Sequence, residues 1–377
     1  MRLPPTPNEL SAAAANTFDR LSRGGLADLR EMPRAVIDEG PQRTVYRYHP
    51  TAKTREDLPP LLLIPPLAAP ALCFDLRRTC SLIEHELSIG RRVYMVDYGS
   101  IAFSDRDLGL EHWFESVIPE AVRAVAADAV VAEVDTLGWC LGGIMTMLAV
   151  ADHPDLPVRS IAMVASPFDF TQVPLIAPLR PLANLAGGAG PLSAIYKTLG
   201  GAPAPIVKRA YQLAGFDKYV TKPLTILQNL DDRDFLAQIE AVDRFMNNML
   251  AYPGRTFGQL YHRFFRTNDL ASGFLDVDGR RIDLSTVRQP VLSIAGTGDG
   301  IAPLASVHHI SELLPKSASI TLDKAPGGHL GVLSGRSART TTWEKIDRFL
   351  EDPLANAPAK KPAKAKARKS AAKKRAA

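Results

Sequence analysis

The chain has 377 residues, of which 46% are hydrophobic and 23% charged. That is room for one large α/β domain with an inserted subdomain, in an ordinary globular composition. No apolar run reaches the roughly eighteen residues of a membrane span, the N-terminus lacks a signal-peptide core, and three cysteines at unpaired spacing exclude a disulfide framework and point to a reducing, cytoplasmic compartment.

In chain order, residues 8–23 read as a leading helix stopped by Gly24 and Gly25. Residues 43–48 alternate like a strand. The apolar runs 61–64 and 93–96 read as buried parallel strands, with a helix over 79–89 between them. A long helix is predicted over 111–129, then a β-branched stretch into Gly138, an apolar helical run after Gly143, and a strand over 159–164. This alternation of strand and helix predicts a doubly wound, mostly parallel sheet with helices on both faces.

From 167 to 283 the pattern breaks and no regular strand is expected. Residues 231–252 carry apolar side chains at helical spacing, ended by Pro253 and Gly254, so this insert is predicted as a mainly helical cap. The sheet resumes at Val291, and a helix over 342–350 closes the fold. The expected division is an N-terminal helical extension (1–40), a core (41–166 and 286–351), a cap (167–285) and a disordered Lys/Ala-rich tail (352–377).

The net charge of +5 hides an asymmetry. Residues 359–377 hold seven lysines, two arginines and no acid. Without them the chain is at about −4. Such a tail either stays solvated or contacts a polyanion such as nucleic acid, without sequence specificity.

The chemistry concentrates at Gly138-Trp139-Cys140-Leu141-Gly142, a G-x-S-x-G nucleophile elbow with cysteine in place of serine. A strand–turn–helix context sets the sulfur at a helix N-terminus, where the positive dipole end favours thiolate. Downstream, a buried strand runs into a glycine-rich loop ending at Asp299, and His329 follows among glycines. The order nucleophile, acid, histidine is that of the α/β-hydrolase fold. Cys140 is the expected nucleophile, His329 its base and Asp299 the orienting carboxylate, although Asp323 lies nearer His329 in sequence. Cys73 and Cys80 read as small buried hydrophobes. Two backbone donors are expected for an oxyanion: Leu141, and Leu67 as the first residue after Pro65 and Pro66 with an N–H. No metal or bound cofactor is expected, because His308 and His309 lack acidic or cysteine ligands at a convincing spacing.

These segments carry a resemblance. From about residue 60 to 350, the strand ending in Pro65-Pro66, the cysteine elbow, Asn229-Leu230-Asp231-Asp232, residues 278–284, 299–303 and Pro326-Gly327-Gly328-His329 together resemble the polyhydroxyalkanoate synthases, nearest the short class that works with a second subunit. The resemblance implies a thioester acyl-enzyme on Cys140 built from a 3-hydroxyacyl-CoA, which the hydroxyl of another acyl unit attacks to lengthen a polyester. It also implies a second synthase subunit or a homodimer as partner, and a place at polyester granules. The family has histidine after its triad aspartate, where this chain has Gly300. Two other readings compete: a thioesterase or esterase using the same three residues, and a granule or nucleoid adaptor using the fold as a binding body.

Overall fold

In the computed structural model, residues 6–174, 201–214 and 216–356 are described. The tail read at 359–377 and most of the Pro/Gly/Ala-rich stretch at 174–205 lie outside them.

Helix α1 (Pro7–Ser22) opens on a capping box between Thr6 and Glu9. Its polar face docks: Asn16 Nδ2 donates to Leu230 O at 2.9 Å and Arg20 pairs with Glu240 at 3.2 Å, which leaves Leu10, Phe18 and Leu21 exposed. Strand β1 (Arg34–Gly40) then pairs antiparallel with β2 (Arg43–Tyr48). The sheet therefore begins at residue 34, inside the segment (1–40) expected to be a helical extension. Positive φ at Gln42 marks the tight turn that makes this hairpin.

Strands β3 (Leu61–Ile64), β4 (Val93–Asp97), β5 (Val134–Trp139) and β6 (Val158–Val164) are parallel and almost wholly buried, as continuous apolar runs require. Helix α2 (Leu82–Ser88) is capped by Ser81, whose hydroxyl accepts from Glu84 N. Helix α3 (Ile118–Ala129) continues a wider π-helical stretch over His112–Val117, so the helix expected at 111–129 forms with a bulged start. Helix α4 (Leu141–Asp152) follows β5 directly and is buried over nearly its whole length.

Among the described residues between β6 and the returning sheet lie helices over Ala204–Ala214, Phe216–Leu227 and Arg233–Asn247, and four short strands. Strand β7 (Gly201–Ala202) pairs with β8 (Tyr252–Pro253), and β9 (Phe274–Val277) with β10 (Arg280–Asp283). The expectation of no strand here is corrected. The second hairpin turns on Asp278 and Gly279, both with positive φ, the Asp-Gly signature of a two-residue turn. The helix expected to reach residue 252 ends at Asn247, because Pro253 pairs in β8 and leads into another helix, Gly254–Gln259. Strands β11 (Val291–Gly296) and β12 (Ile320–Ala325) complete an eight-stranded sheet of order β1-β2-β4-β3-β5-β6-β11-β12. The final helix, Thr342–Glu351, packs Trp343, Ile346 and Phe349 inward. Among the described residues no helix is long and apolar enough to cross a membrane.

Candidate active site

Cys140 sits between the end of β5 and the start of α4 with φ 53° and ψ −122°. That is a costly conformation for a residue with a Cβ, maintained only where the surroundings over-determine it. Here the glycines do so. A Cβ on Gly138 would lie 2.4 Å from Gly143 N, and one on Gly142 would lie 2.2 Å from Ile64 O. The elbow thus wedges α4 against both its own strand and the end of β3, and Cys140 is held at 5% exposure.

Asp299 lies in the loop after β11. One carboxylate oxygen accepts from Ile301 N at 2.8 Å and Ala302 N at 2.9 Å, and the other meets His329 Nδ1 at 2.8 Å. The loop therefore fixes the carboxylate before it orients the ring. Asp323, the nearer acid in sequence, pairs instead with Lys345 at 2.5 Å. Its register on β12 turns it toward the C-terminal helix.

The other ring nitrogen of His329, Nε2, is buried without a hydrogen bond of full geometry. It interacts electrostatically with the sulfur of Cys140. Burial alone would push the imidazolium down, but Cys140 first and Asp299 second outweigh it and hold the ring at about 10. The backbone of His329 is pinned too: Trp139 Nε1 donates to its carbonyl at 3.2 Å, and the two rings lie 5.1 Å apart. Trp139 belongs to the elbow sequence, yet nothing in the pattern assigns it this contact.

Leu141 is the first residue of α4, so its N–H is among those a helix leaves unpaired at its start. Leu67, 2% exposed, occupies the turn after β3, the loop that Gly142 approaches at Pro65 O. The two predicted oxyanion donors thus come from adjoining segments beside the elbow.

Two cavities flank these groups. One of about 250 Å³ opens at Cys140 and Leu141 and is walled by carbon from Val207, Phe257, Leu260 and Phe265. Among its described lining residues, the only polar side-chain atoms apart from the thiol are the hydroxyls of Tyr211 and Tyr252. The other, about 280 Å³, lies against His329 and includes Gly300, where an added Cβ would meet open space. Tyr211 and Ile301 line both. Neither tyrosine is marked in the sequence.

As for metal ligation, one group of three potential ligands comes together among the described residues: His85, Glu86 and Asp347, with ligand atoms within 4.8 Å. It lies away from Cys140. Glu86 is already bonded to Arg91 at 2.9 Å, and Arg91 in turn approaches Asp135 near the opposite end of β5. His308 and His309 are each bonded to a backbone carbonyl, of Asp323 and Ala271, at 2.9 Å.

A mostly parallel sheet of this order, with a strained strand–turn–helix at Cys140 after its fifth strand and an acid–histidine pair on later loops, is the α/β-hydrolase fold. The esterase RhEst1 from Rhodococcus sp. ECU1013 shares the fold with a TM-score of 0.50 at 18% identity, over 86% of this chain and 99% of that one. No protein-family model matches the chain. Among proteins of known function, the chain is similar in sequence to those named poly(3-hydroxyalkanoate) polymerase subunit PhaC. It is 26% identical to that of Allochromatium vinosum over 89% of this chain and 93% of the relative. The Thiocystis violacea protein is 25% identical over 89% and 92%, and that of Synechocystis sp. 23% identical over 81% of each.

Proposed function

We propose that the protein is an acyltransferase that polymerises 3-hydroxyacyl-CoA into polyester through a thioester on Cys140. The observation that carries this reading is the carbon-lined cavity opening directly on a strained, buried cysteine beside the Asp299–His329 pair. The sulfur of Cys140 attacks the thioester carbonyl, and the oxyanion that forms is met by the N–H groups of Leu141 and Leu67. The carbon–sulfur bond to CoA breaks, and the thiol leaves with a proton from His329. The hydroxyl of a second acyl unit then gives its proton to His329 and its oxygen to the acyl carbon, which releases Cys140. Asp299 orients the ring throughout.

Cysteine suits the task, because a thioester keeps the acyl group at the energy of the incoming CoA thioester. Water competes with the acyl hydroxyl, and walls of Val207, Phe257, Leu260 and Phe265 disfavour it. The insert at 167–285 acts in this reading as the cap that supplies all four of those walls. The chemistry uses no metal or other cofactor. A second synthase subunit or a second copy is the expected partner, as the word subunit in the relatives' names supports, and the polyester granule the expected place. The tail at 359–377 serves as a non-specific polyanion tether.

The test is product analysis after incubation with 3-hydroxybutyryl-CoA, with and without a candidate partner subunit. Oligomeric or polymeric ester is expected. Free hydroxy acid with stoichiometric CoA release overturns the transfer step in favour of a thioesterase. Chain unchanged by substrate, with granule or DNA binding intact, favours an adaptor.

A further inference from the structure

Two hydroxyls in a carbon-lined cavity call for a polar partner, because an unmet buried hydroxyl costs free energy. Tyr211 comes from the helix Ala204–Ala214 and Tyr252 from β8, elements that reach the cavity from different parts of the insert. The rings are half-buried against the core, their hydroxyl ends are enclosed, and the hydroxyls bond to each other. Both interact electrostatically with the sulfur of Cys140. Burial pushes both phenols up, so both remain protonated. Two hydroxyls carry two protons and the bond between them uses one. One donor is left over for a ligand in the cavity.

The acyl carbon bound to Cys140 lies two carbons from the position that distinguishes a 3-hydroxyacyl group from a plain acyl group. We infer that the Tyr211–Tyr252 pair binds the hydroxyl at that position and selects 3-hydroxyacyl over unsubstituted acyl thioesters, an inference that rests on the acyl-transfer reading above. The spare proton goes to the 3-hydroxyl oxygen, and the apolar walls take the alkyl remainder. A site arranged this way rejects the analogue lacking the hydroxyl, since that ligand leaves the pair unmet. The two tyrosines are positioning residues: they touch the substituent, not the reacting carbonyl.

The experiment compares 3-hydroxybutyryl-CoA with butyryl-CoA in single-turnover acylation of Cys140, read by intact-protein mass. The hydroxyacyl thioester is expected to react at least about tenfold faster at sub-saturating concentration, the worth of one hydrogen bond. In Tyr211→Phe and Tyr252→Phe, which keep the rings and the cavity walls, the ratio is expected to approach one. A ratio near one in the unaltered protein, or an undiminished ratio in both variants, overturns the inference. If neither thioester acylates the unaltered protein, the acyl-transfer reading falls by itself. The tyrosines are then judged by calorimetric affinities of the two thioesters for Cys140→Ala: a tenfold preference abolished by Tyr252→Phe supports the pair, and equal affinities overturn it.

Discussion

Cys140 is held in a backbone conformation that only its neighbours make tolerable, and His329 is held charged by what surrounds it. If Cys140 carries the acyl group, Cys140→Ala yields no acyl adduct by mass spectrometry. Cys140→Ser keeps the elbow but transfers at least about tenfold more slowly, because an oxygen ester is a poorer donor and serine a harder group to deprotonate. Persistence of the adduct in Cys140→Ala sinks the assignment. The ring of His329 gives a second prediction. Its value of about 10, against an ordinary 6.5, means that the stability linked to its protonation is full below pH 6.5 and is lost as pH rises through about 10. Since Cys140 is the main group raising it, Cys140→Ala lowers the ring's titration midpoint, measured by nitrogen NMR. An unmoved midpoint contradicts the electrostatic account. Cys140, Asp299 and His329 were legible because glycines punctuate each of them. Tyr211 and Tyr252 were not, because a tyrosine acquires a role only when the chain brings it beside a sulfur far away in sequence.

At the scale of elements, the β5–α4 turn depends on close backbone approach. Gly142→Ala would set a methyl 2.2 Å from Ile64 O, so it destabilises the fold by about 1–3 kcal/mol in urea titration. The other end of β5 depends on charge. Arg91, at 2% exposure, lies between Glu86 and Asp135, both fully buried. Arg91→Met leaves Glu86 without its counter-charge and costs about 3–5 kcal/mol, whereas a mutation of the exposed Arg55–Asp57 pair costs little. The parallel strands were legible as apolar runs, since burial on both faces leaves no polar alternation. The short strands of the insert were not. Strands β7 and β8 have two residues each and no periodicity to read, while β9 and β10 had a legible turn at Asp278-Gly279 that a helical expectation overrode.

For the whole molecule, the acidic body and the basic tail are expected to act separately. Removal of residues 359–377 leaves the unfolding midpoint and the acyl-transfer rate unchanged, because nine cations and no acid offer nothing apolar to bury. It abolishes retardation of DNA on a gel at low salt, and in the intact chain that retardation fades steeply with added salt through counterion release. Retardation that survives truncation moves the polyanion contact onto the folded body. Fold class and chain order of the chemistry were readable from one end of the molecule to the other. The position of the sheet's first edge was not, because β1 is half-exposed and alternates only weakly.

The contact between Trp139 and His329 has an optical consequence. An indole 5.1 Å from an imidazole changes its emission when that imidazole gains or loses a proton, so the site reports its own charge state without a label. Trp343 stands at the same distance from His85, and Trp113 from His112, so both would confuse the signal. In a variant carrying Trp113→Phe and Trp343→Phe, quenching that follows His329 through its titration, and that shifts the moment the cysteine is acylated, would let a turnover be watched by fluorescence alone.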